Sequence, residues 1–123
     1  MQYRLVELYH EQTLDDTGTK IIDLKTTDPI SAIRLDFLGT NGATSNKENF
    51  INDIITKIEL VDGSDQLLSL NMKQAQAIQF RRTGKMPYMR PGESANGTNN
   101  EQVVLMFGRY MNDPEYWLDL TKF

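Results

Sequence analysis

One histidine and no cysteine set the limits on chemistry in this chain of 123 residues. Without cysteine there is no disulfide, no thiolate nucleophile and no Cys-based zinc or iron–sulfur site. A single imidazole cannot build a His-rich metal cage. His10 is followed by Glu11, but a zincin helix needs a second His four residues on, and position 14 is Leu. His10 therefore reads as a surface or sheet-edge residue. Asp15-Asp16 ahead of Gly18, and Asp62-Gly63-Ser64-Asp65, invite a calcium reading. Neither carries the ligand ladder of an EF-hand, so both read as turn-forming carboxylates. Gly39-Thr40-Asn41-Gly42 lacks the Gly-Lys-Ser/Thr of a phosphate loop, and no serine sits in a nucleophile elbow. The expectation is a protein that is not an enzyme, with no cofactor and no bound metal.

Two stretches remain that could make contacts. Arg81, Arg82, Lys85 and Arg90 are interleaved with Phe80, Tyr88 and Met89. With Tyr88 the four cations form a candidate contact surface for a neighbouring subunit, nucleic acid or lipid headgroups. The plainer reading is a helix C-terminus with cations matched to its dipole. Phe107-Gly108-Arg109-Tyr110 with Asp113-Pro114 suggests either a ligand pocket or a buried strand ending in a turn, and the turn is the expectation. Gly108 there marks a bulge or a close backbone approach. Lys plus Arg number 13 and Asp plus Glu 17, a formal charge of −4. That argues against coating nucleic acid by charge alone and leaves room for a local basic patch. Hydrophobic residues make up 39% of the chain. Such a share supports a modest core, with some apolar surface left to bury against a partner.

The elements that must position these residues read mostly as strands. Lys20–Lys25 places Ile22 and Leu24 on one face. Ile33, Leu35 and Phe37 alternate with Arg34, Asp36 and Leu38, the period of a half-buried strand. A polar loop runs from Gly39 to about Asn49. Residues 50–61 mix a helical spacing with an alternation, and read as a helix onset followed by a strand from about Ile54. Asp62–Asp65 is the clearest hairpin signal, with Gly63 at a positive φ and Gln66–Leu70 as the returning strand. Asn71–Thr83 is the best helix, capped by Asn71 or Ser69 and stopped at Gly84, with Met72, Ala75, Ile78 and Gln79 near one face. Residues 85–101 read as a long loop, and Glu101–Tyr110 as a strand buried on both faces. Trp117, Leu118 and Leu120 lead into a final strand. Regular βαβ alternation is missing. The expected fold is a single domain over 1–123, an antiparallel jelly-roll β-sandwich of six or seven strands with one short helix, 71–83, in a connection.

Nothing in Met1–His10 resembles a signal peptide or a membrane span, because charge and polarity interrupt it every few residues. The chain reads as soluble and made in a cytoplasm. Its abrupt end at Phe123 favours a segment of a longer chain.

A family resemblance rests on the order of several turns and strand ends. These are Ile58–Asp65, Leu68-Ser69-Leu70, Gln74–Ala77, Thr83–Tyr88, Phe107–Tyr110 with Asp113-Pro114, and Leu120–Phe123. The series resembles the N-terminal part of the major capsid proteins of tailless icosahedral DNA viruses, the double jelly-roll lineage. The resemblance implies a shell-building subunit of the virion, made in the host cytoplasm. Its partners would be copies of itself in a trimeric, pseudo-hexameric capsomer, and other capsid proteins. The second jelly roll of that lineage has no counterpart in these residues, which makes the chain either a segment of a longer one or a single-roll relative such as a vertex protein. The matching positions are fold positions, so the resemblance carries over no functional residue. The competing reading is a β-sandwich binding module for carbohydrate or protein, with Tyr88, Tyr110, Tyr116 and Trp117 as its only aromatic candidates.

Overall fold

The alternation around Leu35 does produce a strand. In the computed structural model, which describes residues 5–10, 13–14, 18–26, 28–43, 50–90, 92, 94–111 and 113–122, β1 spans Ala32–Thr40. It is followed by α1 (Ile51–Ile54), β2 (Ile58–Asp62), β3 (Asp65–Leu70), α2 (Met72–Thr83), β4 (Met89–Arg90), β5 (Thr98–Met106) and a 3-10 turn at Leu120–Lys122. The described residues are mainly β, with antiparallel sheets and two short helices, an arrangement compatible with a β-sandwich. The chain divides into two compact units, Ala32–Met106 and Met1–Ser31 with Phe107–Phe123.

In the first unit β1, β5 and β4 form one sheet in that order, and β2 with β3 form a second. β1 pairs with β5 along its whole length, from Ala32 opposite Met106 to Thr40 opposite Thr98. Directly opposed residues lie on the same face. Ile33, Leu35 and Phe37 therefore share a face with Leu105, Val103 and Glu101, and α1 and α2 pack on β5. Ile51, Met72, Ala75 and Val103 are the buried apolar residues of this layer. The other face carries Arg34, Asp36 and Leu38, all exposed.

α2 owes its boundaries to its ends. Asn71 Oδ1 accepts the Gln74 amide at 2.8 Å, and Gln74 Oε1 accepts the Asn71 amide at 3.1 Å, a reciprocal capping box. Gly84, at φ 71°, closes the other end with its amide on the Phe80 carbonyl at 2.8 Å. Beyond β4, α2 takes over as the neighbour of β5. The Gln102 amide donates to the Tyr88 carbonyl at 3.0 Å. The next amide on that edge, Val104, donates to Gln79 Oε1 at 2.9 Å. Gln76 Nε2 reaches the Gln102 carbonyl at the longer distance of 3.5 Å. Two glutamines one helical turn apart thus continue a ladder that the two-residue strand β4 leaves short.

Several expectations need correction. Residues 20–25 form no strand. Ile22 is exposed there, and among the described residues no partner strand gives the segment a ladder. The strand expected from Ile54 begins at Ile58, because Ile51–Ile54 closes as a helical turn with the Ile55 amide on the Ile51 carbonyl. The loop expected over 85–101 is shorter, since β4 interrupts it and β5 starts at Thr98. β5 ends at Met106 rather than Tyr110. On α2 the inward face runs through Gln76 rather than Ile78, which is exposed. Residues 117–120 give one bridge, Leu118 to Ile30, and then the 3-10 turn. Five strands are present among the described residues, against six or seven expected.

Candidate functional site

The loop that brings Arg90 out from β4 is tied down by asparagines. Asn41, just after β1, donates its side-chain amide to the carbonyls of Gly92 and Ser94, and its backbone amide to the Gly97 carbonyl. Asn99 closes the circuit, donating to Asn41 Oδ1 at 2.9 Å and accepting the Gly92 amide at 2.7 Å. Gly92 is required here by close approach. A Cβ would run into the Thr98 carbonyl oxygen. A shallow cleft of about 490 Å³ runs beside this loop, bordered by Arg90, Ser94, Thr98 and Asn100.

Arg90 is the only one of the five candidate contact residues on that cleft's border. Arg81 and Arg82 occupy the last turn of α2, where the dipole favours cations. Lys85 follows the Gly84 cap. Tyr88 lends its carbonyl to β5, and in an extended chain its side chain shares a side with Arg90. All five are exposed, as are Phe80 just before them and Met86 among them. Along the chain they make one mostly exposed ribbon of cationic and apolar residues, of which Arg90 alone borders the cleft. Asp62–Asp65 is a turn, with Gly63 at φ 60°. No cluster of metal-ligating side chains occurs among the described residues. Asp15 and Asp16 lie outside the described residues. His10 is exposed and takes Glu7 Oε1 at 2.8 Å.

A second cluster was only half visible in the sequence. After β5 the chain folds around Asp113, whose side chain is fully buried. Its carboxylate accepts the amides of Arg109 and Glu115, at 3.0 and 3.1 Å, and the Arg109 guanidinium through Nε at 2.9 Å. Hydrogen bonding from Arg109 pulls the Asp113 carboxyl down to about 2. The same guanidinium bonds Glu115 Oε2 at 2.8 Å and lies 5.0 and 5.8 Å from the ring centroids of Tyr116 and Tyr110. Both tyrosines are about half exposed. Gly108 makes the approach possible, because a Cβ there would stand 2.6 Å from the Asp113 Cβ. The expected close approach at Gly108 is therefore present, and the expected turn is a charged clasp. Its signal in the sequence was an Asp four residues after an Arg and directly before a Pro.

Glu101 is the other buried carboxylate, at 2% exposure, and its Oε2 has no hydrogen-bond partner. Burial pushes its carboxyl up from the ordinary value, against the opposing pull of the Asn52 amide. It lies on the covered face of the sheet beside Val103, so it has no access to a ligand.

Comparison with protein-family models, with curated proteins and with solved structures finds no match to this chain.

Proposed function

We propose that this chain is a shell-building subunit of an icosahedral viral capsid, working by contact with copies of itself. The observation that carries the reading is the balance of apolar surface in Ala32–Met106. Four apolar residues there are buried, Ile51, Met72, Ala75 and Val103, while nine large ones are exposed, among them Leu38, Ile54, Ile78, Phe80, Met86 and Tyr88. Scattered exposed apolar side chains are ordinary, but so many for so small a core favour an interface. The β2–β3 hairpin adds to this. Ile58, Leu60, Leu68 and Leu70 line one of its faces, and none is fully buried. Permanent assemblies bury large apolar areas of this kind.

On this reading the strands form part of a jelly roll whose remaining strands come from a neighbour or from further sequence. The ribbon Arg81, Arg82, Lys85, Tyr88 and Arg90 lies at an inter-subunit seam. Three copies form a capsomer. The resemblance of the turn and strand-end motifs to double jelly-roll capsid proteins points the same way. The test is the mass of the purified chain by light scattering, with electron microscopy of the largest species. Trimers or shell fragments support the proposal, and a monomer at every concentration rejects it. One observation favours a binding module instead, the half-exposed pair Tyr110 and Tyr116 around Arg109. Retention of a monomer on glycan resin, lost in Tyr116→Ala, would decide for that reading.

A further inference from the structure

We propose that the open edge of β1 pairs antiparallel with β1 of a second copy, about a two-fold axis through Leu35. The polarity of the edge follows from its bonds. In a strand, the amide and carbonyl of one residue point to the same side, and those of the next residue to the other. The Asn41 amide goes to Gly97 across the sheet. The odd-numbered residues Ile33, Leu35 and Phe37 therefore spend their main-chain groups on β5. Those of Ala32, Arg34, Asp36, Leu38 and Thr40 point outward, and among the described residues no strand takes them.

An open edge of nine residues is a template for strand addition. The side chains decide what it pairs with. Arg34 and Asp36 sit two apart on the same face, 51% and 41% exposed, joined at 3.3 Å. A pair of like charges there would repel a second copy. One cation and one anion, symmetric about Leu35, do the opposite. With the two-fold at Leu35, Arg34 faces Asp36 of the second copy and Asp36 faces its Arg34. Both are outward-pointing residues, so these are hydrogen-bonded positions. The facing pairs from Ala32 to Leu38 would exchange about eight main-chain hydrogen bonds. The close, non-hydrogen-bonded positions fall to the apolar residues. Leu35 faces Leu35, and Ile33 faces Phe37, on the face that α1 and α2 cover. All three are only half-buried in the single chain. Charge, hydrogen-bond phase and apolar contact thus agree on one register, and a shift by one residue would spoil all three.

The chain has no cysteine, so single-cysteine variants of the full chain read this register directly. At a non-hydrogen-bonded antiparallel pair the Cα atoms are about 4.5 Å apart, within disulfide reach. Leu35→Cys should cross-link to itself on mild oxidation. Ile33→Cys and Phe37→Cys should each stay uncross-linked alone and join when mixed. Charge variants give a second reading that needs no covalent bond. Arg34→Glu and Asp36→Arg should each weaken pairing roughly tenfold, because each places like charges across both symmetric positions. Their equimolar mixture should restore it, since the carboxylate introduced in one variant then meets the guanidinium introduced in the other. Failure of Leu35→Cys to cross-link, equal self-linking by Ile33→Cys, or a charge mixture no better than its components would overturn the pairing. Assembly that persists without the Leu35 cross-link rejects this contact and leaves the capsid proposal standing. A cross-linked dimer that grows no further supports the contact and counts against the shell.

Discussion

Gln79→Met isolates the contribution of a helix side chain to a sheet. Methionine matches glutamine in length and in helix propensity, so α2 itself should be little disturbed. What goes is the acceptor for the Val104 amide, now bonded at 2.9 Å in a part-buried position. An unsatisfied buried donor costs about 1–3 kcal/mol. Two features lower the cost here. Water can reach part of this edge, and a thioether in place of an amide gains some apolar burial. The expected loss is about 1 kcal/mol. Gln79→Glu keeps an acceptor at the same reach and should lose less than half as much. The assay is urea unfolding at one fixed protein concentration, because assembly would shift the apparent stability. The midpoint should fall with an unchanged slope. Hydrogen exchange adds a local reading, in which the Val104 amide should exchange faster in Gln79→Met while Val103 stays protected. An unchanged midpoint with unchanged Val104 exchange would refute the idea that α2 completes this edge. So would equal losses in the Met and Glu variants, since the acceptor would then be irrelevant.

Gly63→Val should cost on the order of 1 kcal/mol or more by thermal melt, since Gly63 sits at φ 60° in the β2–β3 turn and its Cβ would meet nothing within 4 Å. The penalty is pure backbone strain, so Gly63→Asn should recover part of it. Asp113, held at about 2 by Arg109, contributes stability that is full above its unfolded value near 4 and lost as pH falls through about 2. Near-UV circular dichroism from Tyr110, Tyr116 and Trp117 should fade over that window, and Asp113→Asn should already show the faded spectrum at neutral pH. Glu101 has the opposite sign, because its carboxyl is raised by burial. Its charged form is a cost at neutral pH that disappears as pH falls through the raised value to the unfolded one. Glu101→Gln should therefore melt higher than the parent at pH 7, with the gain shrinking toward pH 4.

What the sequence disclosed was local. The Asp62–Asp65 hairpin, the Asn71 and Gly84 ends of α2 and the alternation around Leu35 all depend on residues within a few positions of each other. They were legible for that reason. The misses depend on residues far apart. Asn41, just after β1, and Asn99, in β5, bond across 58 positions, and nothing near either asparagine signals the other. Gln79 looks like an ordinary inward helix residue until β4 proves too short to serve Val104. The alternation at Lys20–Lys25 matched a strand in period, but period alone supplies no partner for the ladder. The contact ribbon was legible as a cluster because Arg81 to Arg90 is contiguous, and the structure shows it exposed without gathering it into a pocket. The Asp113 clasp was half legible. The Gly108 approach was expected, whereas burial of the carboxylate depends on how the chain returns through Trp117, whose amide bonds the Asp113 carbonyl at 3.0 Å.

Sedimentation of the purified chain from low to high micromolar concentration tests most directly whether its exposed apolar surface is taken up by copies of itself. A capsid subunit should give a trimer or a larger species that grows with concentration and survives high salt, since the contact is mainly apolar. A monodisperse monomer across the whole range, with fixed near-UV aromatic signals, would contradict it.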